Sequence, residues 1–182
     1  MKLVPILEAI LLTAGRPLSI KELESLLPEF DPLEIRDAIG YLKNEYGNGH
    51  RGLELIEVAG GYRFQVPQHL SSWVRRLKRV TPIRLSKAAL ETLAVIIYKQ
   101  PVTRAEIEQI RGVDSSATLR FLMEHNLIRV CGRKEVPGRP LLYRTTKRFL
   151  EVFGLKDLKS VSQILEEAKP ATGQLSLFEQ VE

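Results

Sequence analysis

A mainly α fold with small β-hairpin wings (α+β), built as two tandem copies of one unit, is what this 182-residue chain predicts. Two observations predict it. Each half carries three short apolar-periodic segments with their own start and stop signals, and each half then closes on a hairpin signature. The halves also share one pattern: a shift of 84 places Pro17 on Pro101, Ser19 on Thr103, Glu22 on Glu106 and Leu23 on Ile107. After a one-residue slip, Asp31 meets Asp114 and Ile39 meets Leu122.

In the first copy, Ile6, Ala9, Ile10 and Thr13 recur at helical spacing, and Gly15-Arg16-Pro17 stops the run. Ser19 and Glu22 form a capping box for a second helix with Leu23, Leu26 and Leu27 as its buried stripe. Asp31-Pro32 opens a third helix to Tyr46, with Ile35, Ala38, Ile39 and Leu42 on one face. Leu53, Leu55 and Val58 then lead through Gly60-Gly61 into the alternating Tyr62, Phe64 and Val66, a hairpin.

The second copy repeats this grammar. Ser86 caps a helix through Tyr98 with Leu90, Leu93, Ala94 and Ile97 on one face. Thr103 and Glu106 make a second capping box, Ile107 and Ile110 are expected to be buried, and Gly112 ends the helix. Asp114 opens the third helix, which carries Leu119, Leu122 and Met123. Leu127 to Val130, a Gly/Pro-rich tip from Gly132 to Pro140, and Leu141 to Tyr143 read as the second hairpin. Three helices followed by a two-stranded wing is the winged-helix plan, a helix-turn-helix variant, so the chain predicts two tandem winged-helix domains. Their expected limits are 1–68 and 86–155. A basic helical connector over 69–85 joins them, with Leu70, Trp73, Val74 and Leu77 at amphipathic spacing. Residues 156–182 read as a weak helix (Leu158, Val161, Ile164, Leu165), then a flexible tail from Lys169.

Composition narrows the classes. Aromatics are only 7% of the chain, so the cores must be aliphatic. The net charge of +5 is compatible with nucleic-acid contact but far below a histone-like excess, so it points first to solubility. A single cysteine, Cys131, rules out an intramolecular disulfide and suits a reducing compartment. The N-terminal apolar stretch contains Glu8 and lacks a small-residue cleavage site, and no run reaches the roughly 18 apolar residues of a membrane span. A cytoplasmic protein is expected.

Two stretches of the second copy carry a family signature: ALETLAVIIYKQPVTRAEIEQIRGVDS and GRKEVPGRPLLYRTTKRFLEVFGL. They are similar to the most distinctive block of the segregation and condensation protein B family, and a looser likeness extends from Met1 to Leu165. That resemblance implies a non-catalytic, nucleoid-associated subunit of the bacterial condensin complex. It implies a homodimer formed largely through the N-terminal domain, and binding to the kleisin ScpA, which bridges the heads of SMC. Arg144 departs from the family pattern, where a small residue, often glycine, follows the tyrosine.

On the residues alone, base reading is poorly supported. Exposed Arg, Lys, Asn or Gln on a third helix would be needed to reach base edges. The first copy offers Arg36 and Lys43 against Glu34, Asp37 and Glu45, and the second chiefly Ser115, Ser116 and Arg120 against Asp114 and Glu124. A winged-helix transcriptional regulator is therefore the rival reading. Basic charge gathers instead in the connector (Arg75, Arg76, Lys78, Arg79, Arg84, Lys87), as sites for non-specific phosphate contact at most. It also gathers around the second wing: Arg129, Arg133, Lys134, Arg139, Arg144, Lys147 and Arg148. The wing tip Pro137-Gly138-Arg139-Pro140 is stiff, which favours docking at low entropic cost. Arg139, Leu141 and Tyr143 are the candidate kleisin contacts.

Catalysis finds no footing. His50, His69 and His125 have no ligand-spaced partner, Cys131 has no nucleophile signature, and no glycine loop suits phosphate. No cofactor, metal or enzymatic activity is expected. In the tail, Gln174-Leu175-Ser176-Leu177-Phe178 resembles the short peptide with which bacterial replication and repair proteins bind the sliding clamp.

Overall fold

The computed structural model describes residues 3–77 and 84–161. Contacts divide the chain into two compact units, one within Met1–Thr81 plus Gly154–Asp157 and one within Pro82–Phe153 plus Leu158–Glu182. Each combines short helices with a small antiparallel sheet.

The first unit contains α1 (Leu3–Thr13), α2 (Ile20–Leu26), α3 (Pro32–Gly47), β1 (Glu54–Val58), β2 (Gly61–Gln65), a 3₁₀ turn over Gln68–Leu70 and α4 (Ser71–Arg75). Its core joins Leu3, Leu7 and Leu11 of α1 to Leu23, to Ile35, Ile39 and Leu42 of α3, and to Leu55. The hairpin register pairs Val58 with Gly61, leaving Ala59 and Gly60 as a two-residue turn, both at positive φ (51° and 74°). That is the primed turn that matches strand twist. Gly61 answers a different need. Leu18 bridges Tyr62 through two backbone hydrogen bonds of 2.9 and 2.8 Å, and a Cβ on Gly61 would lie 2.7 Å from the Leu18 carbonyl carbon. Residues 154–157 return to this turn: the Ala59 and Gly60 N–H groups donate to the carbonyls of Leu155 and Lys156, and Lys156 pairs with Glu57 at 2.9 Å.

The second unit contains α5 (Lys87–Lys99), β3 (Val102–Thr103), α6 (Arg104–Arg111), α7 (Ser116–Glu124), β4 (Ile128–Arg133), β5 (Leu141–Thr145) and α8 (Lys147–Val152). Its sheet has the order β3-β5-β4, so the hairpin gains a third, short strand that the sequence reading did not anticipate. Val102 pairs with Tyr143 where Leu18 pairs with Tyr62 in the first unit, and the 84-residue shift places Leu18 on Val102. The duplication therefore extends to tertiary pairing. α8 was also not anticipated; Thr146 caps it by accepting from the Phe149 N–H at 3.2 Å, and Phe149 is fully buried.

Several expectations are corrected. In both copies the apolar face of the first helix is rotated by about one residue. The buried set is Leu3, Leu7 and Leu11 instead of Ile6, Ala9, Ile10 and Thr13; in the second copy Leu93 is buried as expected, but with Ala89, Thr92 and Ile96 instead of Leu90, Ala94 and Ile97. Both segments are apolar almost all round, so periodicity does not determine their phase. Thr92 enters the core because its hydroxyl donates to the Ala88 carbonyl at 2.8 Å. Leu26 and Ile110, expected to be buried, are exposed near the ends of short helices. α7 starts one residue later than expected: Ser115 is the N-cap position, and Asp114 instead accepts from the N–H and hydroxyl of Ser116. The second wing's strands are longer than expected, with a bulge at Cys131, so the tip spans only 134–140. The connector does form a short helix, but its apolar residues Trp73, Val74 and Leu77 are exposed. Residues 158–161 are helical and Val161 is buried; Ile164 and Leu165 lie outside the described residues.

The two capping boxes have matching geometry. The Glu22 carboxylate accepts from the Ser19 N–H and hydroxyl (both 2.8 Å), and that of Glu106 accepts from the Thr103 N–H and hydroxyl (2.8 and 2.7 Å). The Ser19 N–H and then Arg16 hold the Glu22 carboxyl down at about 2. Lys134 and then Thr103 do the same for Glu106, also to about 2. A carboxyl depressed in the folded state contributes stability that is present above its unfolded pKa, near 4.3, and is lost as pH falls through its folded value. Thermal midpoints should therefore fall between about pH 5 and 2, and the double variant Glu22→Gln/Glu106→Gln should flatten that slope. Calorimetry across the acid range checks it; a slope identical to wild type would contradict it.

Candidate functional site

The second wing carries a densely basic surface. Ile128 pairs with Thr145, Arg129 with Arg144 and Val130 with Tyr143. Alternation along β5 turns Tyr143 and Thr145, both buried, to the core, and leaves Leu142 and Arg144 on the outer face beside Arg129. Two arginines directly opposite each other repel and destabilise the pair. Arg129, Arg133, Arg139 and Arg144 are all exposed, and none makes an ion pair among the described residues.

The tip is internally braced. Lys134 N–H donates to the Pro140 carbonyl (2.9 Å), Arg139 N–H to Val136 (2.9 Å) and the Arg133 guanidinium to the Arg139 carbonyl (3.1 Å). Gly138 and Arg139 both take positive φ (84° and 39°), a turn that glycine eases and arginine tolerates poorly. Lys134 reaches the Glu106 carboxylate at 2.6 Å, so the wing is tied to the capping box of α6. The tip is thus a fixed projection.

Of the expected kleisin contacts, Arg139 is exposed at the tip and Leu141 is half-buried at the start of β5. Tyr143 lies in the core of the sheet, only 7% exposed, and pairs with Val102 of β3. The outer trio Arg129, Leu142 and Arg144 was missed as a unit. The alternation of Leu141 and Tyr143 against Leu142 and Arg144 was the signal that separates the two faces.

The connector arginines are exposed, Arg75 at the end of α4 and Arg76 as its C-cap, with the Arg76 guanidinium 4.3 Å from the Trp73 ring centre. Lys78 and Arg79 lie outside the described residues, as do Gln174, Leu175, Ser176, Leu177 and Phe178. On the first unit, a groove of about 410 Å³ between α1 and α3 is lined by Leu3, Val4, Phe30, Ala38 and Tyr41, with Glu34 and Asp37 at its edge. Leu12, Leu33 and Tyr41 of this unit are each more than half exposed.

On α3, the exposed residues include Glu34, Asp37 and Lys43, while Arg36 is engaged with Glu24 at 3.0 Å. α7 exposes Ala117, Arg120 and Glu124. Neither helix presents a set of base-reading side chains. His125 is held locally, its Nδ1 2.9 Å from the Phe121 carbonyl. Among the described residues no group of three His, Cys, Asp or Glu side chains is arranged to hold a metal, and no helix is long and apolar enough to cross a membrane.

These features define a chain of two related helix-and-hairpin units whose marked surfaces are a basic wing and apolar helical faces. Residues 5–164 match the family described as "Segregation and condensation complex subunit ScpB". The chain belongs to the segregation and condensation protein B family. It is 44% identical to segregation and condensation protein B of Syntrophotalea carbinolica over 165 residues, covering 91% of this chain and 83% of the relative. It is 45% identical to that of Moorella thermoacetica over 155 residues, 85% of this chain and 79% of the relative. The solved ScpB of Mycobacterium tuberculosis is 31% identical, over 84% of this chain and 95% of that one, with a TM-score of 0.39.

Proposed function

We propose that the chain is a non-catalytic, cytoplasmic and nucleoid-associated subunit that binds the kleisin ScpA and, through it, SMC, as a homodimer of tandem winged-helix domains. Membership of a family described as a complex subunit supports this. The observation that carries it is the wing: four exposed arginines without ion-pair partners among the described residues, two of them opposed across strands, on a braced projection. Such an arrangement raises the energy of the free protein and is relieved by an acidic segment laid across Arg129 and Arg144, with Leu142 as its apolar seat and Arg139 at its end. The apolar α1–α3 face of the first unit is the surface assigned to a second copy.

Reversing both arginines (Arg129→Glu/Arg144→Glu) keeps a like-charge pair in place, so the fold is unaffected while the docking charge is inverted. Affinity for ScpA should fall by about tenfold or more, since like-charge juxtaposition costs several kcal/mol. Calorimetric titration with unchanged affinity would remove the wing from the interface. The rival reading, a transcriptional regulator, asks α3 and α7 to read bases, and their exposed side chains do not support it.

We infer separately that the tail residues Gln174 to Phe178 bind the sliding clamp. The order of residue types supports this: a polar head followed by a Leu-Phe end suited to filling a preformed apolar pocket. The variant Phe178→Ala should lose clamp capture in a pull-down with the purified clamp; capture as efficient as wild type would end the proposal.

A further inference from the structure

The connector helix contains a surface that the proposed kleisin contacts do not use. Trp73 is the only tryptophan of the chain, and it stands on α4 at 62% exposure. Its ring is covered by the Arg76 guanidinium at 4.3 Å, so the remaining exposure lies on its other face and its edges. Arg75 is exposed on the same five-residue helix, and Val74 and Leu77 are exposed beside it. A helix this short draws little stability from its own hydrogen bonds. It is set in place by its lead-in, where Pro67 is buried and the Leu70 N–H donates to the Pro67 carbonyl at 3.0 Å.

The charge of the flanking sequence is of one sign. From Val66 to Leu90 the sequence contains no aspartate or glutamate, in a chain with 22 acidic residues overall. An aromatic face stacked on a guanidinium, within a basic stretch of sequence, is the recurring chemistry of single-strand nucleic-acid binding. The ring takes up the face of a base, while the guanidinium meets a phosphate beside it. A duplex would offer only phosphates, because its base faces are already stacked. A protein segment docking on Trp73, Val74 and Leu77 would leave the lack of any acidic residue unexplained.

We propose that α4 is a contact site for unpaired DNA, with Trp73 as the stacking platform and Arg76 beside it as the phosphate contact. Binding is independent of base sequence and weakens steeply with salt. It does not depend on kleisin binding.

Because Trp73 is the only tryptophan, its fluorescence reads the contact directly. Titrating the purified full-length protein with oligo-dT at low salt should quench the emission, and added NaCl should reverse the quench. Anisotropy of a labelled oligo-dT should give about tenfold weaker binding for Trp73→Ala, since a stacked base contributes roughly 1–3 kcal/mol. Trp73→Phe should retain most of the affinity, and the matching duplex should bind more weakly than the single strand. Circular dichroism should be unchanged in both variants, because the side chain is exposed. Absence of quenching by oligo-dT overturns the proposal. So does equal affinity of wild type and Trp73→Ala, which would make the contact purely electrostatic. Quenching by purified ScpA but not by oligo-dT would make the surface a protein-docking site and would likewise overturn it.

Discussion

Replacing Phe149 by alanine is expected to destabilise the second unit by about 3–5 kcal/mol, the range for removing a fully buried aromatic ring. Phe149 lies on α8, a six-residue helix far too short to be stable alone. Its one buried side chain is Phe149, 1% exposed, in tilted contact with Phe153 at 4.9 Å between ring centres. Removing the ring leaves a cavity and releases the helix that follows β5. For a unit of this size each kcal/mol shifts the midpoint by roughly 4–8 °C, so the melting temperature should drop by more than about 12 °C. Scanning calorimetry checks it, and a shift of only a few degrees would mean that α8 is not integral to the unit.

The second large effect concerns Gly61. A Cβ there would lie 2.7, 2.8 and 3.0 Å from the carbonyl carbon, carbonyl oxygen and nitrogen of Leu18, all backbone atoms that cannot rotate away. The Gly61→Ala variant must open the Leu18–Tyr62 bridge and its two hydrogen bonds, at a cost of about 2–4 kcal/mol. Gly60 is the instructive control. Its φ of 74° favours glycine, but its Cβ direction is open, so Gly60→Ala should cost only about 1–2 kcal/mol and Gly60→Asn less. Urea unfolding of the three variants checks this, with midpoints shifting at constant slope. Equal effects at positions 60 and 61 would contradict the close approach of Leu18.

That pair of glycines marks how far the sequence could be read. Gly60-Gly61 announces a hairpin, and the hairpin is there, but the turn is Ala59-Gly60 and the second glycine serves a tertiary contact. Local signals were legible wherever the chemistry is local: the Ser19–Glu22 and Thr103–Glu106 boxes and the Asp31-Pro32 start all formed as expected. Helix phase was not legible in α1 and α5, because runs such as ALETLAVIIY are apolar in nearly every direction and only the neighbouring elements select a face. β3 was invisible for a related reason: two residues carry no periodicity, and only their pairing with Tyr143 and Leu142 makes them a strand.

The same division holds at the wing. Its basic character was plain from composition, whereas the burial of Tyr143 depends on pairing with β3, which local sequence does not show. Charge at Arg144, the departure from the family pattern, gains meaning only in register, opposite Arg129. A lone arginine on a return strand is ordinary; two arginines opposed across an exposed pair ask for an anionic counterpart.

The most direct test of the central claim is complex formation with the kleisin. The purified chain and purified ScpA, mixed in excess of one over the other and run on size-exclusion chromatography, should elute together ahead of either protein alone. The Arg129→Glu/Arg144→Glu variant should elute largely apart from ScpA. Separate elution of the wild-type proteins at micromolar concentration would contradict the account.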